Sequence, residues 1–313
     1  MRPDKRRGWH WSDYWRSGRT DVMTVQTASG PVAFDTEPLW TAWFQGFSAG
    51  ANLLDLATGN GQVVTYAARS ASAGDTTLSV TGVDYAEVEA ASDRLPAGCR
   101  LMGGVAMESL PFPPATFDGA SSQFGIEYAD TRQALLELGR VLRPDGRALM
   151  LIHHSESVIT RQTAEQIAAY DAVLGRSSAV RHTRRAYAAQ LRGSPDRRAE
   201  DNMREALQHT AALLGSSLAF APVRYMVGYL EDLSRGIASY EPASALARLD
   251  AFETGNAAWR HRQQSQVTAA LDGPGRELFV QRAARAGLAL TERADIHDAD
   301  GLLIGWRAAF AKA

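Results

Sequence analysis

The feature that most limits how this chain can fold is the alternation of short apolar runs with amphipathic segments between about Ala51 and His154. "NLLDLA" reads as a buried strand, and "QVVTYAARSA" after it has helical spacing. "LSVTGVDYA" reads as a second strand ending in Asp84, and "AEVEAASDRL" as a second helix. "FDGASSQFG" is a third strand, flat and built of small residues. "DTRQALLELGRVL" is an amphipathic helix stopped by "RPDG", where Pro144 and Gly146 supply the breaker and the turn, and "RALMLIHH" is a further buried strand. Repeated βα units of this kind place their strands mainly parallel, with helices on both faces of the sheet.

The pattern changes after His154. From Ser155 to about Asp272 the chain is rich in Ala, Arg and Gln at helical spacing, and "GSPDRR" at Gly193 to Arg198 is the nearest thing to a linker. "GRELFVQRAARAGL" then reads as another helix, followed by two extended segments around "DADG", which predicts an antiparallel hairpin on the otherwise parallel sheet. The expected organisation is residues 1–154 as an N-terminal cap and the main part of the core, 155–272 as a helical insertion, and 273–313 as the last helix and hairpin.

Composition removes several functions. A formal charge of −2 over 313 residues argues against a general nucleic-acid binder. No uninterrupted apolar stretch reaches the roughly 18 residues that a membrane helix needs. Cys99 is the lone cysteine, so no intramolecular disulfide forms and a reducing compartment fits. "MRPDKRRGWHW" lacks the apolar region of a secretory signal, and the expected location is cytoplasmic. The His and Cys residues show no metal-ligand spacing, so no metal is expected. Neither a G-x-S-x-G elbow nor a phosphate-binding P-loop occurs.

The first strand runs into "ATGNGQ", an acid and two glycines at a strand-to-helix turn, which is a common cradle for a nucleotide-like cofactor. The order of "LLDLATGNGQ", "VTGVDYA", "MESLPFPPATFDGASSQFGIEYAD" and "LGRVLRPDGRALMLIHH" resembles the class I S-adenosylmethionine-dependent methyltransferases, in the branch carrying L-P-F and R-V-L-x-P-x-G segments (the type 11-like branch). The C-terminal "AGLALTERADIHDADGLLIGWRAAFA" is similar to that family's last helix and hairpin. The resemblance covers roughly Trp40 to His154 plus Gly273 to Ala311 and implies an α/β, Rossmann-like, mainly parallel sheet with S-adenosylmethionine as cofactor.

Charge supports that cofactor independently. Asp55 at the end of the first strand would attract the cationic ammonium end of S-adenosylmethionine, whereas it would repel a dinucleotide pyrophosphate. Ala57 replaces the first glycine of a dinucleotide turn, and Gln62 and Val63 stand where a further glycine would be wanted. Ala57, Thr58, Gly59 and Gly61 are therefore read as the cofactor turn; Ala57 and Thr58 differ from the family's more usual Gly and Cys. Asp84 would accept both ribose hydroxyls, or else cap the helix after it, and Tyr85 would cover the adenine face. In the third motif Ala106 and Met107 replace the usual Asp and its neighbour. Adenine is then held by Glu108 or by the backbone and packing of Met107.

"SSQFGIEYAD" borders the expected methyl-transfer pocket and brings Gln123 to the cofactor and Phe124, Glu127 and Tyr128 toward the acceptor. His153 and His154 end the next strand, where adjacent side chains point to opposite faces, so at most one faces the site. His153, His154, Glu127 and Tyr128 are the candidate bases, each with a packing or surface role as its alternative. In the N-terminal "WHWSDYWRSGR", Trp11 and Trp15 share one helical face, expected to lie over the cofactor cleft. "EPLWTAWFQGF" is read as the core helix before the first strand. The implied function is methyl transfer by in-line displacement to a small or medium organic acceptor. The helical insertion would roof the acceptor pocket, and a homodimer is compatible. A non-catalytic, S-adenosylmethionine-binding or partner-binding module on the same fold is the alternative.

Overall fold

The structure is a computed structural model and describes residues 9–16, 24–27, 30–74, 76–88, 95–298 and 300–313. In chain order the elements are α1 (Trp9–Arg16), β1 (Thr24–Thr27), β2 (Gly30–Ala33), α2 (Glu37–Phe44), β3 (Asn52–Leu56), α3 (Gln62–Ala73), β4 (Ser79–Val83), β5 (Cys99–Met102), β6 (Phe117–Gln123), α4 (Thr131–Val141) and β7 (Leu142–Ile152). There follow α5 (Val158–Val173), α6 (Ala179–Leu191), α7 (Arg197–Ala212), α8 (Ala221–Arg235), α9 (Pro242–Ala269), α10 (Gly273–Arg285), β8 (Leu288–His297) and β9 (Leu303–Lys312). The described residues within 1–24, 33–161 and 265–313 form one compact unit, and those within 25–32 and 162–264 form another.

The first unit is built on a seven-stranded sheet in the order β5-β4-β3-β6-β7-β9-β8. The pairs from β5 to β7 are parallel, while β9 runs antiparallel to both β7 and β8. Central strands covered on both faces are mainly apolar, and Leu53, Leu54 and Leu56 of β3 are all buried around the one acid, Asp55. The main core gathers Leu54, Leu56, Phe117, Leu135, Leu138, Met150, Phe279, Trp306 and Phe310. Each such side chain contributes about 1.5–3 kcal/mol when fully buried. α4 starts where the Asp130 carboxylate accepts the Arg132 and Gln133 amides at 3.0 and 3.3 Å.

Three local expectations change. "RPDG" does end α4, but the chain passes directly into β7, which begins at Leu142 and takes Asp145 through a φ of 61°. β5 is not legible in the sequence, because three half-buried edge residues and the exposed Arg100 carry neither a buried run nor a strict alternation. The helix expected over "AEVEAASDRL" lies mostly outside the described residues, and Ala86 to Val88 are not helical. The hairpin falls as expected, with Asp295 opposite Trp306.

The second unit carries its own apolar core, in which Tyr187, Met203, Leu207, Leu230, Leu233 and Leu249 pack together. The Tyr187 hydroxyl, inside that core, donates to the Leu233 carbonyl at 2.7 Å. "GSPDRR" is the turn between α6 and α7, and Asp196 caps α7 through the Arg198 amide at 3.0 Å. No helix among the described residues is long and apolar enough to cross a membrane.

Candidate active site

In a mainly parallel sheet the carboxyl ends of the strands face one edge, and the groups that can meet a ligand collect there. β3 ends at Leu56, and the chain turns through Ala57 (φ 54°), Gly59 (φ 52°) and Gly61 (φ 83°) before α3 begins at Gln62. Three left-handed residues so close together need small side chains. α1 lies against this turn: Asn60 donates to the Trp15 carbonyl at 2.8 Å, and a Cβ on Gly59 would stand 2.5 Å from the Trp15 indole. The Glu87 amide donates to the Ser12 hydroxyl at 3.0 Å, and Trp11 meets Tyr128 edge-on at 5.7 Å.

The two acids hold the turn from beneath. Register places Asp55 between Gly82 of β4 and Ser121 of β6, and the Ser121 hydroxyl donates to Asp55 Oδ1 at 2.7 Å. Asp84 Oδ2 accepts the Gly59 amide at 2.8 Å, and its Oδ1 accepts the Ala86 amide at 2.8 Å. Gly82 makes this close approach feasible, since a side chain there would run into Thr58 and Leu101. Burial disfavours the charged form of both acids, raising Asp55 to about 7, with a smaller push from Asp84, and raising Asp84 to about 6.

Beyond β6, Ile126–Tyr128 form one turn of 3-10 helix that turns Glu127 inward. Glu127 Oε1 accepts the His153 amide at 2.9 Å and faces His153 Nδ1 at 2.7 Å. Glu127 Oε2 is buried and takes no hydrogen bond from the described residues. The His153 ring lies 4.7 Å from Phe124 and 5.9 Å from Tyr128. Burial, reinforced by the Glu127 charge, pushes the Tyr128 hydroxyl well above the usual phenol range. His154 turns elsewhere: its Nδ1 accepts the Glu156 amide at 3.0 Å, and its Nε2 lies 4.0 Å from Asp295. Burial holds its imidazole below the usual value. The structure thus brings Glu127, Tyr128 and His153 together and sets His154 apart.

The remaining candidates are dispersed. Tyr85 and Ala106 are half-buried, while Met107 is buried in the main core beside Leu56 and Val83. Glu108 accepts the Asp130 amide at 3.1 Å. Gln123 accepts the Trp40 indole N–H at 2.5 Å and donates to Gln62 Oε1 at 3.0 Å. Ser121, Trp40 and Gln62 were missed as site residues, because a serine in a small-residue strand and a tryptophan in an apolar helix read as packing. The Gln–Gln contact joins residues 61 positions apart.

Residues 54–150, from the middle of β3 into β7, match the methyltransferase domain family. The ubiquinone/menaquinone biosynthesis C-methyltransferase UbiE of Geobacter sulfurreducens is 38% identical over 113 residues, which are 34% of this chain and 43% of that protein. The demethylmenaquinone methyltransferase of Thermus thermophilus is 36% identical over 104 residues, 32% of this chain and 46% of that protein. The chain therefore spans less than half the length of either relative. The 1,6-didemethyltoxoflavin-N1-methyltransferase of Burkholderia thailandensis, solved with 1,6-didemethyltoxoflavin and S-adenosylhomocysteine, has a TM-score of 0.47 and 13% identity, covering 100% of this chain and 91% of that one. The matched domain spans the glycine turn and both turn acids, so the similarity to methyltransferases rests on residues 54–150, the part of the chain that carries the candidate site.

Proposed function

We propose that this protein transfers a methyl group from S-adenosylmethionine to a small or medium organic acceptor by direct in-line displacement. The observation that carries the reading is the meeting, at the carboxyl ends of β3, β4, β6 and β7, of an acid-held glycine turn with a buried carboxylate–histidine pair. The test is titration calorimetry with S-adenosylhomocysteine and NAD, followed by radiolabelled methyl transfer into a metabolite extract. Binding of the former alone and a labelled product are expected. NAD binding without a response to S-adenosylhomocysteine overturns the reading, and cofactor binding without any labelled product favours a non-catalytic module.

The residues fit the cofactor. Each Asp84 oxygen accepts one amide and keeps a second acceptor position for a ribose hydroxyl. Asp55, ionised at neutral pH in part, faces the cationic end, and the turn of Ala57, Thr58, Gly59 and Gly61 supplies close backbone. Tyr85, Ala106, Met107 and Glu108 form the adenine side. Since the Met107 side chain is committed to the core, its backbone is the part left for the ring. Bound there, the sulfonium supplies an electrophilic methyl group, so the protein contributes chiefly orientation and exclusion of water.

Proton removal falls to the pair. An ionised Glu127 that accepts both the His153 amide and Nδ1–H fixes the imidazole tautomer with a lone pair on Nε2. That nitrogen takes the proton of an acceptor hydroxyl or amine as the acceptor attacks. Phe124 and Tyr128 against the His153 ring, with Trp11 packed on Tyr128, suit a flat ring, as do the quinone-pathway names of the relatives. His154, engaged with Glu156 and Asp295, has no part in the step. The helical unit serves acceptor recognition, a cytoplasmic location is supported by the single cysteine, and the −2 charge supports a non-nucleic-acid acceptor. A homodimer remains part of the proposal, with sedimentation velocity as its test.

A further inference from the structure

The orientation of the Gln62 amide is set from a distance. Trp40 is fully buried, and its indole N–H is a donor that has no acceptor function. It can be satisfied at 2.5 Å by Gln123 only if Gln123 presents Oε1. The Gln123 Nε2 must then point the other way, where it donates to Gln62 Oε1 at 3.0 Å. Gln62 thereby spends its oxygen on Gln123, and its Nε2 donates to none of the described residues. Gln62 is the first residue of α3, directly after the left-handed Gly61, and no side chain caps that helix start. A pair of N–H donors thus stands on the first residue of α3, directly after the glycine turn.

We propose that Gln62 binds the carboxylate at the amino-acid end of the cofactor, with Gln123 and Trp40 as the residues that position its amide. The inference rests on the proposed use of S-adenosylmethionine. Donors aimed by a buried relay suit an anion, and the amino-acid end carries one carboxylate and one ammonium. The division is then by sign: Asp55 takes the ammonium and Gln62 the carboxylate. Gln123, singled out as a direct cofactor ligand, acts instead through Gln62.

The test compares two probes that share the adenosine part and differ in the amino-acid end, S-adenosylhomocysteine and 5′-methylthioadenosine, by titration calorimetry on the full chain. Gln62→Leu keeps the shape and removes the donors. It is expected to weaken S-adenosylhomocysteine about tenfold or more and leave 5′-methylthioadenosine within about twofold. Gln62→Lys restores a donor and is expected to recover most of the S-adenosylhomocysteine affinity, which also shows that position 62 tolerates substitution. Gln123→Leu frees the Gln62 amide to rotate and is expected to cause a smaller loss, again for S-adenosylhomocysteine alone. Equal losses for both probes, or none for either, overturn the inference. Failure of the unaltered protein to bind either probe overturns the cofactor reading beneath it.

Discussion

Asp84 Oδ2 accepts the backbone amide of Gly59 at 2.8 Å, so an acid at the end of β4 directly shapes the glycine turn that follows β3. Its other oxygen takes the Ala86 amide. Both Asp84 oxygens are thus engaged by backbone amides, and each keeps a second acceptor position for the ribose role proposed above. Asp84→Ala is expected to lower apo stability by about 1–3 kcal/mol, because two amides lose a charged acceptor, and to weaken S-adenosylhomocysteine by roughly tenfold to a hundredfold. Chemical denaturation and calorimetry on the same variant check both effects. A stable variant with unaltered affinity removes Asp84 from the site.

Acid titration is expected to move stability and affinity in opposite directions. Asp55 and Asp84 have folded values of about 7 and about 6, above the usual 3.8. Between about pH 4 and 7 the folded state thus binds more protons than the unfolded state, and this contribution to stability is full below pH 4 and is lost as the pH rises toward 7. The proposed cofactor binding uses the ionised forms, so affinity is expected to rise over the same interval. Asp55→Asn is expected to flatten the upper part of both profiles, read by urea midpoints and by S-adenosylhomocysteine titrations from pH 5 to 8.

Glu127→Gln removes the charge that fixes the His153 tautomer. Turnover of an acceptor found in the labelling experiment is expected to fall by about 10²–10⁴, with the S-adenosylhomocysteine dissociation constant within about threefold. His154→Gln, altered outside the pair, is expected to keep turnover near that of the unaltered protein. Similar losses in the two variants would count against His153 as the base.

Gly59→Ala tests the packing of α1 on the turn. The new methyl meets both a φ of 52° and the Trp15 indole at 2.5 Å. A loss of about 1–3 kcal/mol is expected, from the backbone conformation and from overpacking together. Trp15→Ala in the same chain is expected to return the steric part only. Full additivity of the two substitutions would separate α1 from the turn.

Leu230→Ala opens a cavity in the core of the helical unit. About 2–5 kcal/mol is expected to be lost from that unit's unfolding transition, with S-adenosylhomocysteine affinity unchanged. Hydrogen exchange resolved along the chain reads the two units separately. Loss of protection throughout β3 to β7 would contradict it.

The sequence by itself determined the class of sheet, the place of the hairpin and the turn with its two acids. Each of these is local: apolar runs, breakers and glycines act through backbone preferences over a few residues, and an acid ending a strand sits beside the turn that follows. β5 was not legible, because an edge strand buries too little to demand an apolar pattern. The pairing of Glu127 with His153 was not legible either, although both residues stood among the candidates. It joins positions 26 residues apart through the parallel register of β6 and β7, which also sends His154 the other way. The same holds for Trp40, Gln123 and Gln62, where the direction of an amide depends on a buried indole 83 positions distant in the chain. Hydrogen-bond polarity passes through space from one satisfied group to the next, and only the folded chain brings those groups within reach.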